Sequence, residues 1–175
     1  NVCAYVRQQR TIGGKSVVLL DNGDVLQGQP ICHYLNYVKA NGTALAAQIM
    51  DFMGYDACTL GNHDIATGHA TCSKWIRHLH CPTLTSNIFK AKCGMPYARP
   101  FAIIERNGLR IAVIGLLSAA AFDSIDSVAT AGMSIDDPAG AAKRWIDIIR
   151  EEENPDVVVG LLHCGWEAND DGIHS

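Results

Sequence analysis

Apolar residues in this chain fall into two kinds of run. Short continuous runs recur at Val17-Val18-Leu19-Leu20, within Tyr55–Leu60 and at Val157-Val158-Val159-Gly160-Leu161-Leu162. Runs of that length, rich in β-branched residues, predict strands covered on both faces. Between them the apolar positions recur at helical spacing. Leu45, Ile49, Phe52 and Met53 predict one face of a helix capped by Asn41-Gly42-Thr43 and stopped by Gly54. Cys72, Trp75, Ile76 and Leu79 predict a second helix, stopped by Pro82. Ala141, Trp145, Ile148 and Ile149 predict a third, with Asp137 as cap, Pro138 in its first turn and Asn154-Pro155 as its end.

The remaining segments carry weaker patterns. Val2, Cys3 and Val6 suggest a short helix ending near Arg10, followed by a turn over Thr11 to Lys15. Ser16 to Asp21 is expected as a strand and Val25 to Pro30 as a loop. Thr83 to Ser86 reads as a short strand ending in Asn87. Phe101 to Glu105 and Leu109 to Leu117 read as a hairpin around Arg106-Asn107-Gly108. Ser118 to Ser134 reads as surface loop. The order β-α-β-α-β, hairpin, α-β predicts an α/β layered domain. With 175 residues the chain can bury one sizeable core.

Composition narrows the function classes. The net charge of −4 lacks the basic excess of a general nucleic-acid binder. The longest apolar run, Ile111 to Phe122, is too short to span a membrane. No basic-then-apolar leader opens the chain, and it begins with Asn1, so an upstream segment is expected. Seven cysteines leave at least one unpaired within the chain, and no Cys-x-x-Cys occurs. Cys58 and Cys72 are expected as buried small hydrophobes. Cys81 and Cys93 form a bridge only if the protein is exported. Ile12-Gly13-Gly14-Lys15-Ser16 is not a P-loop, because it precedes a strand and lacks the first glycine. His78-x-His80 places two imidazoles on different faces at a helix end and is expected at the surface.

Chemistry concentrates where the apolar strands end. Asp24 follows the first, Asn62 and His63 the second, and His163 the last. Parallel strands of one sheet would bring these exits to a single rim. Each residue also has a plain reading: Asp24 and Gly61-Asn62 suit turns, and His163 suits a satisfied core histidine. Together, oxygen donors and imidazole without thiolate suit Zn, Mn, Fe or Co. A carboxylate can bridge two such ions, and paired ions clamp a phosphoryl group and activate a water.

Gly23-Asp24, Gly61-Asn62-His63-Asp64 and His163 resemble motifs of the calcineurin-like metallophosphoesterases. Leu19 to Pro30 and Gly-Asn-His-Asp are similar to the 5′-nucleotidase and 2′,3′-cyclic-nucleotide 2′-phosphodiesterase branch. The resemblance implies a layered α-β-β-α metallophosphatase-like domain that is incomplete here, spanning 1–175 as a partial domain. The opening Asp-x-His, the closing Gly-His-x-His and a C-terminal nucleotide-binding domain are expected outside these residues; Gly172 to Ser175 does not fit the closing motif. It further implies hydrolysis of nucleotides or other phosphoesters with two divalent ions in the complete enzyme, and one or none in this chain. Asp24 would bridge the ions, and Asn62 and His163 would ligate the second. His63 would serve the leaving oxygen. The acidic residue that orients such a histidine would stand at Ala66, so Asp64 becomes the candidate orienter. Asp21 and Asn87 would support the site from behind. Relatives of this branch are commonly exported, so the parent enzyme is expected in the periplasm or at the cell surface.

Two other readings compete. One is an inactive fragment that self-associates through exposed sheet edges. The other is a metal-free α/β ligand-binding module.

Overall fold

A computed structural model of the chain describes residues 1–39 and 44–165. A helix α1, Val2–Gly13, opens the fold, and a single 3-10 turn, Gly14–Ser16, follows it. The first sheet is parallel, in the order β1 (Leu20–Asp21), β2 (Ala57–Thr59), β3 (Thr83–Leu84). Between β1 and β2 lie α2 (Pro30–His33), a π-helical turn (Tyr34–Val38) and α3 (Leu45–Met53). Between β2 and β3 lie α4 (Asn62–Ala66) and α5 (His69–His78). A small antiparallel pair joins β4 (Ile88–Lys90) to β7 (Met133–Ile135). The last sheet orders β5 (Phe101–Arg106), β6 (Leu109–Leu117) and β8 (Val157–His163). There β5 runs antiparallel and β8 parallel to β6. Helices α6 (Ala119–Asp123) and α7 (Pro138–Glu152) lie between β6 and β8 in sequence.

Three apolar clusters set the layers. Ala47 and Met50 of α3, Cys72 and Trp75 of α5, and Cys58 and Leu60 pack on one side of the first sheet. Ala57, Leu84, Ile104, Val113 and Leu161 fill the space between the two sheets. Ala112, Ile114 and Leu116 face Ala141 and Ile149 of α7. Strand β6 thus alternates, even positions to the helix and odd positions to the other sheet, as a pleated strand requires. The stack is α-β-β-α, as the resemblance implies.

Several boundaries differ from the sequence reading for identifiable reasons. Helix α1 continues through Thr11 to Gly13, and its stop is Gly14 at φ +53°. The strand expected from Ser16 shrinks to two residues. Side chains satisfy the main chain before it: Leu19 N–H donates to Asp56 at 2.8 Å, and Arg106 Nε donates to the Val17 carbonyl at 3.4 Å. Helix α2 and the π turn occupy part of the stretch beyond the expected loop. Helix α3 is apolar nearly all round, and it buries Ala47 and Met50 while Phe52 is 71% exposed under the Arg7 guanidinium. Small Ala47 permits the close approach to its neighbours. The cap expected at Asn41-Gly42-Thr43 lies outside the described residues.

Helix α5 does bury Cys72, Trp75 and Leu79, and α7 is capped by the Asp137 side chain on Gly140 N–H at 2.7 Å. The hairpin turns at Asn107 and Gly108, both at positive φ. The expected loop Ser118 to Ser134 instead holds α6, capped by Ser118, and buries Ile125 and Ala129. Strand β8 is not covered on both faces: Val157 and Leu162 are about half exposed, and β6 is its one partner among the described residues. All seven cysteines are free thiols. The Cys81 thiol and burial push the Cys58 thiol upward, so Cys81 sits by Cys58 while Cys93 is exposed. His80 pairs with Asp51 at the surface.

The two sheets approach closely at Gly115. A Cβ there would lie 2.5 Å from Thr59 Oγ1 and 2.8 Å from the Leu84 carbonyl oxygen. Gly115→Ala is expected to lower stability by about 1–3 kcal/mol through overpacking. The measurement is urea unfolding, with a lower midpoint at unchanged slope.

Candidate metal centre

Three chain segments meet at one end of the sheet stack. Leaving β1, the chain turns at Gly23, φ +94°, and places Asp24 at φ +68°. That left-handed conformation is rare outside glycine, and Asp is among the few residues that tolerate it. Leaving β2, the chain passes Gly61 and begins α4 at Asn62. From the other sheet, β8 ends on His163. The three strand ends therefore belong to two sheets, not to one rim as the sequence suggested.

The convergence itself is present. His163 Nε2 lies 3.1 Å from Asn62 Oδ1 and 3.4 Å from Asp24 Oδ2. The other ring nitrogen, Nδ1, is 2.7 Å from the Asn22 carbonyl oxygen. A carbonyl only accepts, so Nδ1 carries a proton, and Nε2 is the ring atom turned toward the two oxygens. Asn22 also donates its side-chain N–H to the Leu162 carbonyl at 2.8 Å. One asparagine thus ties the β1 exit to the end of β8 by two bonds, a role its sequence position did not signal.

Glycines make the close approach feasible. A Cβ on Gly23 would lie 2.4 Å from the Gly61 nitrogen. A Cβ on Gly61 would lie 2.1 Å from Asp24 Oδ1 and 2.6 Å from His163 Cε1. The two loops cross backbone against backbone, which only glycine allows.

Asp64 does not orient His63. It is fully buried, and its oxygens accept the main-chain N–H groups of Asp24 (2.7 Å), Leu26 (2.9 Å) and Gly61 (3.0 Å). Burial pushes its carboxyl upward, and the three amides pull the other way by favouring the ionised form. The partner of the exposed His63 ring is Gln27, whose Oε1 lies 2.9 Å from Nδ1. Sequence reasoning missed it, because nothing local links residues 36 places apart. The His63 main-chain N–H donates to Asp24 Oδ1 at 3.0 Å.

Asp21 accepts the Gly23 N–H at 2.9 Å, and burial raises its carboxyl pKa. Asn87 does not reach the cluster. Its amide is used up on Leu117 N–H and C=O and on the Asp136 carbonyl. It acts at one remove, because Leu117 is the register partner of His163.

Among the described residues no three His, Cys, Asp or Glu side chains gather as a cation site. The gathered set is two of that kind plus the Asn62 oxygen. These donors fit one divalent ion. Bonds of about 2.0–2.2 Å to a shared cation leave neighbouring ligands roughly 3–3.5 Å apart. Lone-pair atoms at these spacings require a proton or a cation between them. Gly61→Ala is expected to weaken Mn²⁺ binding by about 10–100-fold, the range for displaced supporting groups. Titration calorimetry with unchanged far-UV circular dichroism would show it.

No family model matches the chain. It is 29% identical over 156 residues to the 5′-nucleotidase of Vibrio cholerae, covering 89% of this chain and 27% of that protein. It is 28% identical over 174 residues to the 2′,3′-cyclic-nucleotide 2′-phosphodiesterase/3′-nucleotidase of Yersinia enterocolitica, covering 93% and 26%. The chain therefore spans less than a third of the length of these curated relatives. Its fold is similar to the crystal structure of the calcineurin-like phosphoesterase YfkN from Bacillus subtilis. The TM-score is 0.81 at 25% identity, over 95% of this chain and 54% of that one. No helix of the described residues is long and apolar enough to cross a membrane. The paired glycine loops and the Asp-Asn-His convergence thus occur in a chain that is similar in fold to a calcineurin-like phosphoesterase and in sequence to a 5′-nucleotidase and a 2′,3′-cyclic-nucleotide 2′-phosphodiesterase/3′-nucleotidase.

Proposed function

We propose that this chain supplies cation-binding and catalytic groups of an exported phosphoesterase that hydrolyses nucleotides, as a 5′-nucleotidase or a 2′,3′-cyclic-nucleotide phosphodiesterase. The observation that carries the reading is the meeting of Asp24, Asn62 and His163 across two sheets at 3.1–3.4 Å. These three would hold one divalent ion, and Asp24 would share a second in the complete enzyme. When bound, such ions supply Lewis acidity toward the phosphoryl group and lower the pKa of a coordinated water.

The chain's own residues have separable tasks. Asn22 holds the His163 ring with its Nε2 turned toward Asn62 and Asp24. Gly61 leaves room for the Asp24 carboxylate. His63 stands beside that carboxylate through its main-chain N–H, with its ring exposed to an arriving substrate. Its imidazole gives a proton or hydrogen bond to the departing oxygen, where charge develops. The negative net charge of −4 repels a phosphate, so bound cations must also offset that repulsion.

A second reading, self-association, is favoured by the half-exposed Val157 and Leu162 on the outer strand β8. Light scattering decides it: a monomer at all concentrations removes this reading.

The test of function is release of phosphate from 5′-AMP and ring opening of 2′,3′-cyclic AMP in Mn²⁺. Asp24→Asn and His63→Asn are each expected to lower kcat by about 10²–10⁴-fold. Chelation is expected to abolish turnover in the parent protein. Turnover unchanged in both variants would sink the proposal.

A further inference from the structure

A histidine that exchanges a proton with substrate needs its other nitrogen held, or its ring samples both tautomers and several orientations. Here the position three residues after His63 is Ala66, which offers nothing to hold it. Gln27 does: its Oε1 is 2.9 Å from His63 Nδ1. An amide oxygen only accepts, so this contact requires the proton on Nδ1. Nε2 makes no hydrogen bond within the described residues and is the ring's free atom.

Gln27 is itself held from both sides. Asp64 accepts the N–H groups of Asp24 and Leu26, which fixes the short stretch of chain just before Gln27. Leu26 is 3% exposed, and its carbonyl accepts the Asn36 amide at 2.8 Å. Gly28, at φ +104°, turns the chain away immediately afterwards. The Gln27 side chain is half-buried against the histidine. Its direction is set by the loop and not by chance surface contact.

We propose that Gln27 is the positioning residue for His63. It holds the Nδ1–H tautomer, so that the proton exchanged with substrate is the one on Nε2. Gln27 makes the contact to Nδ1 that an orienting carboxylate could make, and it adds no charge beside Asp24. Asp64 belongs to the same device at one remove, by fixing the loop that carries Gln27. The catalytic consequence rests on the phosphoesterase reading, but the hydrogen bond does not.

The experiment is long-range ¹H–¹⁵N NMR of the His63 ring in the metal-free chain, at a pH where the ring is neutral. The expected wild-type signal is Nδ1 protonated and Nε2 bare. In Gln27→Leu the population is expected to move toward Nε2–H, and in Gln27→Glu to stay Nδ1–H. In parallel, Gln27→Leu is expected to lower kcat on 5′-AMP by about 10–100-fold, with KM within about twofold. Gln27→Glu is expected to restore most of the loss. In a His63→Asn background, Gln27→Leu is expected to have no further effect. An unmoved tautomer in Gln27→Leu would overturn the proposal, and so would an equal loss with and without His63. If the parent protein hydrolyses no phosphoester yet the tautomer responds to Gln27→Leu, the positioning role stands and the phosphoesterase reading falls.

Discussion

Three main-chain amides, from Asp24, Leu26 and Gly61, end on the Asp64 carboxylate, which is closed off from solvent. Two of these amides belong to the loop after β1 and one to the turn after β2. Neither loop could satisfy them internally, because the first carries a left-handed aspartate and the second is starting a helix. An amide left without a partner there would cost about 1–3 kcal/mol. The buried charge costs free energy as well, and the amides offset it. Loop and carboxylate are each tolerable only in the presence of the other, and this mutual dependence sets the positions of Asp24, Gln27, Asn62 and His63 together.

Rigid backbone thus does the placing of the side chains that would carry the chemistry. Asp24 reaches the site through a strained dihedral, and Gly23 and Gly61 let two backbones pass at contact distance. His163 arrives from the other sheet and is fixed by a carbonyl. Asn87 strengthens that arrival from the far side of β6, by bonding both main-chain groups of Leu117. Asp24 and His163 are each held by a main-chain contact from a distant part of the sequence, the His63 N–H and the Asn22 carbonyl. A loop-borne cluster built this way is as fixed as the strands behind it.

Local chemistry made much of this legible in the sequence. Asp137-Pro138 marked the start of α7, Asn107-Gly108 the hairpin turn, and three apolar runs the strands that deliver Asp24, Asn62 and His163. These signals are carried by adjacent residues and need no knowledge of the fold. What was not legible depends on partners far along the chain. Which face of α3 turns inward is decided by Ala47 meeting its neighbours, because Leu45, Ile49 and Phe52 are equally apolar. The allocation of strand ends to two sheets depends on β6 taking β8 as its parallel partner. Asp64 looked like a site acid from its neighbours in sequence, yet its burial makes it a backbone clamp. Gln27 and Asn22 gave no sign, since a glutamine in a loop and an asparagine in a turn are ordinary.

The pair of bonds from Asn22 to Leu162 and His163 lies on a seam between the two sheets. A divalent ion gripped by Asp24 and Asn62 on one layer and His163 on the other would act as a rivet through that seam. By mass action, such an ion resists separation of the layers in proportion to RT ln(1 + [ion]/Kd). The same atoms that would prepare a phosphate for attack would then also fasten the domain together.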